Sequence, residues 1–126
     1  KQTEGILIQK HVEGAEMIIG IAENGQFGKV ISFGLGGVFV ELFNDVSFRA
    51  LPITLYDASE MIKGLKYAKI LEGYRRIKPA NIKKLKKIIM AVAALAQNEG
   101  VTEMDINPLF VNGDSIVAAD VRILRD

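Results

Sequence analysis

Hydrophobic positions in the first half of the chain fall into short runs that turn residues separate. Residues 6–12, 16–22 and 29–33 are rich in Ile and Val, and each break between them contains a Gly. β-Branched runs of this length, bounded by Gly and Asn, are typical of strands joined by hairpin turns. Residues 38–43 and 45–49 predict two further extended segments.

Two stretches have apolar positions at helical spacing instead. Residues 57–66 predict a short helix in which Asp57 is the N-cap and Glu60 completes a capping box. Residues 79–98 predict the longest helix, and Gly100 lies where its C-terminal stop is expected. The apolar stripe of this helix consists of Ile82, Leu85, Ile89, Val92 and Ala96. The predicted architecture is α+β, an antiparallel sheet of hairpins with the two helices packed on one face.

The C-terminal stretch predicts a long hairpin, in which residues 102–111 run out and residues 115–124 run back. Two different two-residue loops fit the turn between them. With residues 112–113 as the loop, Asn107 faces Ala118 and lies diagonal to Asp120. With residues 113–114 as the loop, Asn107 faces Asp120 directly. A three-residue loop would instead send Asp120 to the other face of the sheet.

Either two-residue loop gathers polar side chains on one face, because side chains alternate along a strand. That face would carry Asp105, Asn107, Ala118 and Asp120. Opposed residues have Cβ atoms about 4.5–5.5 Å apart, so two oxygen ligands could reach one hard cation at about 2.0–2.1 Å. The opposite face would be buried, and it carries Met104, Ile106, Phe110, Val117, Ala119, Val121 and Ile123.

The same residues also fit a hairpin whose solvated face has no function, since Asp and Asn are common on exposed strands. Pro108 favours a functional interpretation. Because proline cannot donate a ladder hydrogen bond, it indicates an edge or a bulge, and bulges are frequent near functional sites.

Composition narrows the classes of function. The chain has 126 residues, of which 49% are hydrophobic, and this fits one packed domain. The absence of Cys excludes disulfides and thiol chemistry and leads us to expect a cytoplasmic location. A net charge of +1 gives no electrostatic basis for binding nucleic acid or an anionic membrane. No initiating Met precedes the first strand-like run, which indicates a fragment of a larger protein.

Five blocks of sequence, in order, resemble one enzyme family. They are FG at residues 27–28, FGLGGVFVE at 33–41, DVSFR at 45–49 with Pro52 and Ile53 after it, DINPL at 105–109 and AADVR at 118–122. Together they resemble the C-terminal part of the ATP-grasp domain in the nucleoside-diphosphate-forming acyl-CoA synthetases, a family that includes the β subunit of ADP-forming acetyl-CoA synthetase. The resemblance spans essentially the whole chain.

The resemblance implies an acid–thiol ligase that interconverts acyl-CoA, ADP and phosphate with carboxylic acid, CoA and ATP through a phosphohistidine. It implies that Asn107 and Asp120 bind Mg²⁺ and that Asp105 meets the phosphohistidine. Its implied partners are ATP or ADP, an N-terminal ATP-grasp lobe, and a CoA-binding α subunit or domain that carries the histidine. Related segments also occur as regulatory ligand-binding modules fused to acetyltransferases, and that alternative stays open.

Three further residues are candidates for contacts with the nucleotide. Gln9 and Glu16 match the positions at which the family contacts adenine and ribose, although Glu16 also fits a solvated strand end. Arg49 has two interpretations. Its guanidinium could pair with Asp45 or Glu41 on the surface, or its forked donors could contact the nucleotide phosphates.

Overall fold

The computed structural model describes residues 12–37 and 44–125, which form a single antiparallel sheet with helices packed on it. Most of the predicted strand at residues 6–12 and all of the one at 38–43 lie outside the described residues. The strands are β1 (Ala15–Asn24), β2 (Gly28–Leu35), β3 (Val46–Ala50), β4 (Val101–Asn112), β5 (Ser115–Ala118) and β6 (Val121–Arg125). The helices are α1 (Leu55–Lys63), a 3₁₀ turn (Ala68–Glu72) and α2 (Ile82–Asn98).

The sheet has the spatial order β3-β2-β1-β4-β5, and β6 pairs with β4 beyond the end of β5. All of these pairs are antiparallel. Residues 119 and 120 divide the predicted return strand into β5 and β6. Strands β1 and β4 therefore form the middle of the sheet, and the strands predicted at residues 16–22, 29–33, 45–49 and 102–111 are present.

Both helices cover the same face of the sheet, and the predicted α+β fold is confirmed. On β1 the side chains of Ala15, Met17, Ile19 and Ile21 are buried, whereas those between them are more exposed. Polar contacts tie the helices to this face, since Ser47 Oγ donates to the Met61 carbonyl and Lys29 Nζ donates to the Ala96 carbonyl. Neither helix among the described residues is long and apolar enough to cross a membrane.

Helix α1 begins earlier than the sequence predicts. Thr54 is its N-cap, and Asp57 occupies the third helical position, where its carboxylate accepts from the Thr54 backbone N–H at 2.8 Å. The Thr54 hydroxyl accepts in turn from the Asp57 N–H at 3.1 Å. The capping box is therefore Thr54 with Asp57, and the predicted pair of Asp57 with Glu60 was wrong. Both Thr and Asp are good caps, and spacing alone did not separate them.

Helix α2 is the predicted long helix, but it starts at Ile82 because Asn81 caps it. The Asn81 side chain accepts from the Lys84 backbone N–H at 3.0 Å. Four members of the predicted apolar stripe are buried, namely Leu85, Ile89, Val92 and Ala96. Ile82 is 37% exposed and lies outside the core, because it forms the open first turn of the helix.

The C-terminal hairpin has the second of the two predicted registers. Asn112 pairs with Ser115, so residues 113 and 114 form the loop. The same register continues into β6, where Ile106 pairs with Val121 and Asp105 pairs with Arg122.

The predicted division of the hairpin into two faces holds only in part. Two residues of β4, Asn107 and Pro108, oppose the single residue Ile18 of β1, which is the bulge that Pro108 indicates. Burial on β4 consequently changes from Met104 and Ile106 to Leu109 and Val111. Three statements from the sequence were therefore wrong. Phe110 is not buried, Ala118 opposes the buried Leu109 and so does not share the face of Asp105, and the predicted core residues Val117, Ala119, Val121 and Ile123 are exposed.

Candidate functional site

The candidate site lies on the face of the sheet that the helices leave uncovered. Asp105 opposes Gly20, one of the β1 residues between the buried positions, and this places Asp105 on the uncovered face. On the opposite edge of β4 from β1, Arg122 of β6 pairs with Asp105, and its side chain therefore lies on the same face of the sheet. Neither side chain has a hydrogen-bond or ion-pair partner among residues 12–37 and 44–125, so both are available to a ligand.

Asn107 and Asp120 lie next to this pair, and the backbone holds them opposite each other. The Asn107 N–H donates to the Asp120 carbonyl at 3.1 Å, and the Ala119 N–H donates to the Pro108 carbonyl at 3.0 Å. Opposed positions of this kind separate Cβ atoms by about 4.5–5.5 Å. The four residues Asp105, Asn107, Asp120 and Arg122 therefore form two adjacent cross-strand pairs.

The glycine-rich segment after β2 contacts Asn107 directly. The Gly37 N–H donates to Asn107 Oδ1 at 3.1 Å. Gly37 has a φ of 62°, in the left-handed region that favours glycine, and the Glu16 carboxylate lies against the place that a Cβ would occupy. Glu16 is half-buried and lies close to the same corner of the site.

A cavity of about 240 Å³ adjoins the carboxylate of Asp105. Its polar lining comes from Glu103, Asp105 and Arg122, and its apolar lining on this face comes from Ala22 and Leu124. The cavity therefore joins acidic and basic side chains on one surface, which suits a ligand that carries both anionic and cationic groups.

The structure does not bring every predicted site residue to this face. Arg49 opposes Ile31, which is fully buried beneath the helices, and its guanidinium donates to the Phe48 carbonyl at 2.8 Å. Arg49 is therefore on the helix-covered side, away from Asp105. Gln9 lies outside the described residues. Glu16, Asp105, Asn107 and Asp120 are the predicted residues that the fold gathers.

The donor atoms at Asn107 and Asp120 suit a hard divalent cation. Asn107 Oδ1 accepts one N–H from Gly37 and, as an amide oxygen, retains a second lone pair. The Asp120 carboxylate has no partner among the described residues. No group of three His, Cys or acidic side chains converges within the described part of the chain. Such a sparse set fits Mg²⁺, which commonly takes few protein ligands and completes its shell with water and phosphate.

Two contributors to this site were not identified from the sequence. Arg122 could have been found, because it follows Asp120 by two positions and the observed register places it opposite Asp105. The Gly37 N–H had no usable signal, since its contact joins residues 70 positions apart.

Comparison with known proteins identifies relatives of this chain. The sequence profile of a family described as an ATP-grasp domain matches residues 1–124. An ADP-forming acetate–CoA ligase II from Archaeoglobus fulgidus is 48% identical over 124 residues, which are 98% of this chain and 18% of that protein. The β subunit of an ADP-forming acetate–CoA ligase I from Pyrococcus furiosus is 46% identical over 122 residues, or 95% of this chain and 53% of the subunit.

A comparison with solved structures identifies proteins of the same fold. The acetyl-coenzyme A synthetase 1 of Ca. Korarchaeum cryptofilum superimposes with a TM-score of 0.84 at 42% identity, over 92% of this chain and 55% of that chain. That structure is a complex with coenzyme A and Mg-AMPPCP, in which a phosphohistidine segment points towards the nucleotide-binding site. This chain thus spans about half the length of the β subunit and of the solved chain that it matches.

Proposed function

This chain belongs to the ATP-grasp domain family, and on that premise we propose that it is the nucleotide- and Mg²⁺-binding lobe of an ADP-forming acyl-CoA synthetase. The whole protein would interconvert acyl-CoA, ADP and phosphate with carboxylic acid, CoA and ATP. Its partners would be an N-terminal ATP-grasp lobe and a CoA-binding subunit or domain that presents a histidine.

The observation that carries this proposal is the cross-strand pair of Asn107 and Asp120 beside Asp105. The pair offers one amide oxygen and one carboxylate, from residues that a backbone hydrogen bond holds opposite each other. Mg²⁺ bound there would neutralise charge on the terminal phosphates of the nucleotide. The work of these side chains is to fix the position of the phosphates, because phosphoryl transfer depends mainly on alignment and electrostatic stabilisation.

Asp105 would act on the histidine of the partner segment. Its carboxylate lines the cavity and has no partner among the described residues, so it is free to accept an imidazole N–H. This hydrogen bond would orient the ring and stabilise the positive charge that develops on it when the other nitrogen accepts the phosphoryl group. Glu16, close to Gly37 at the same corner, would contact the ribose of the nucleotide.

The test uses the full-length protein that carries this chain and proceeds in two steps. Isothermal titration calorimetry with Mg–ATP measures binding, and turnover is then assayed with CoA, acetate and ATP. We expect saturable Mg-dependent heat followed by formation of ADP and acetyl-CoA. An Asp105→Asn variant should retain Mg–ATP binding but lose transfer of label from ATP to the histidine, because the amide carries no charge to stabilise the imidazolium.

The alternative function is a regulatory ATP-grasp module in a protein such as an acyltransferase fusion. Calorimetric binding without turnover would support that alternative and contradict the enzyme proposal. Absence of heat from the full-length protein would contradict both. Within residues 12–37 and 44–125 the carboxylates of Asp105 and Asp120 have no partner, and this favours catalysis, since a purely regulatory site has no need of a charged residue for a histidine.

A further inference from the structure

Arg122 is the basic residue that lines the cavity beside Asp105. It follows Asp120 by two positions, and the β4–β6 register sets it directly opposite Asp105. Its side chain is exposed, and its guanidinium has no hydrogen-bond or ion-pair partner among the residues that the structure describes. A cation without a partner in a cleft can take an anionic ligand without first breaking an internal contact.

Because acidic side chains line the cavity, a phosphate that enters it needs a positive charge beside it. Glu103 and Asp105 line the cavity with two negative charges, and Asp120 adds a third nearby. Arg122 supplies the positive charge opposite them. A bound divalent ion would satisfy Asp120, but Asp105 would still repel the oxygens of a phosphoryl group that approached it.

We infer that Arg122 binds the non-bridging oxygens of the phosphoryl group while that group is transferred. This inference rests on the proposed function and identifies a further residue of the same site. A guanidinium offers paired N–H donors that match two phosphate oxygens, and its charge persists at any working pH. Asp105 and Arg122 would then have separate roles within one cross-strand pair. The carboxylate would bind the imidazole, and the guanidinium would bind the phosphoryl group.

The transfer step balances without further reagents. A lone pair on one imidazole nitrogen attacks the terminal phosphorus of ATP and forms a P–N bond. The bond from that phosphorus to the bridging oxygen breaks, and its electron pair leaves on ADP. The other imidazole nitrogen keeps its proton and donates a hydrogen bond through it to the Asp105 carboxylate, which balances the positive charge of the ring. Arg122 changes no bond and acts only on the charge of the three equatorial oxygens.

The experiment compares Arg122→Gln and Arg122→Lys with the wild type in the full-length protein. We expect Arg122→Gln to lower kcat by about 10²-fold, the usual cost of removing one preorganised donor to a developing charge. Arg122→Lys should recover part of this loss, because it keeps the charge but lacks the fork. Calorimetric affinity for Mg–ADP, which lacks the transferred group, should change by less than about twofold in both variants.

Arg125→Gln is the matched control. Arg125 lies on the same strand, but its guanidinium contacts Glu99, at 3.0 Å to the carbonyl and 3.6 Å to the carboxylate. This variant should retain the wild-type kcat. If Arg122→Gln also retains the wild-type kcat while the wild type turns over, the role of Arg122 is overturned and the proposed function stands. If the wild type shows no Mg–ATP-dependent turnover, both are overturned.

Two arms identify the source of the phosphoryl group. One follows label from the terminal phosphate of ATP to the partner histidine, and the other follows labelled inorganic phosphate in the presence of acyl-CoA. A loss in both arms supports contact with one transferred group at a shared position. A raised KM for inorganic phosphate with an unchanged ATP arm would overturn the inference, because the guanidinium would then bind the free anion and not the transferred group. An equal loss of Mg–ADP affinity would overturn the inference, since the guanidinium would then act on the nucleotide and not on the transferred group.

Discussion

Asn107 and Asp120 form one cross-strand pair but have different surroundings. The Asn107 amide is already oriented by the Gly37 N–H, whereas the Asp120 carboxylate has no partner in the described part of the chain. In the proposed Mg²⁺ site, Asn107 would therefore contribute a fixed oxygen, and Asp120 would contribute the charge. A substitution that removes the charge but keeps the shape separates these two contributions.

We predict that Asp120→Asn lowers Mg–ATP turnover by about 10²-fold or more, because the replacement removes a charge that stabilises the cation. The fold should persist, since Asp120 is exposed and its backbone contacts do not depend on its side chain. Turnover measured against Mg²⁺ concentration checks this. Glu23→Gln, which changes an exposed carboxylate at the far end of β1, is the control and should match the wild type. An unchanged rate and Mg²⁺ dependence in Asp120→Asn would contradict the metal assignment.

Helix α1 shows how a capping box makes the stability of an element depend on pH. The Thr54 backbone N–H and then the Thr54 hydroxyl hold the pKa of the Asp57 carboxyl below its ordinary value. A depressed folded-state pKa contributes stability above the unfolded-state pKa, and this contribution is lost as the pH falls through the folded-state pKa. Acid should therefore weaken the start of α1.

We predict that the wild type has a higher Tm than Asp57→Asn at pH 7, and that the difference narrows as the pH falls below about 4, the range in which aspartate protonates. Thermal unfolding between pH 7 and pH 2 measures this difference. Glu60→Gln changes a carboxylate of the same helix that lies outside the capping box, so it serves as the control. A difference that widened on acidification would contradict the sign of the effect.

The elements show where sequence reasoning succeeds and where it does not. Strands and helices were predictable, because alternation and helical periodicity arise from the same burial that forms them. The residues at 112–114 left two possible two-residue loops, each of which implies one strand register. The face of β5 was assigned incorrectly, because alternation was assumed to continue past Asn107 and Pro108. The bulge there was indicated by Pro108, but its effect on burial depends on the neighbouring strand β1. On β6, Val121 and Ile123 do oppose the buried Ile106 and Met104, but their side chains are exposed.

At the scale of the whole molecule, the two faces of the sheet differ, because one holds the buried core and the other holds the candidate site. The helix-covered face holds the buried side chains of β1, β2 and β4, and the uncovered face holds Asp105, Asn107 and Arg122. The functional interpretation of this second face needed the family resemblance as well as the pattern, since polar residues on an exposed strand are common. Arg49 could not be placed from the sequence, because the side of β3 that it occupies depends on pairing with β2.

We predict that Ile89→Ala, which shortens a fully buried side chain of α2, lowers the free energy of unfolding by about 2–5 kcal/mol. Affinity for Mg–ATP should stay unchanged at temperatures well below the melting transition, because α2 does not reach the uncovered face. Denaturant unfolding and calorimetry measure the two quantities. Lys87→Ala, an exposed position of the same helix, should alter neither. A large loss of affinity in folded Ile89→Ala protein would contradict this separation.

The β-bulge in β4, where two residues oppose one residue of β1, has one more consequence. Asn107 and Pro108 share a single partner on β1, and both are half-buried and outside the core, so a smaller side chain at either position opens no enclosed cavity there. A lobe built in this way can exchange or lose its ligand set while it stays folded. Under the two functions proposed above, a catalytic lobe and a regulatory lobe could therefore share this scaffold and differ at a few solvent-facing positions.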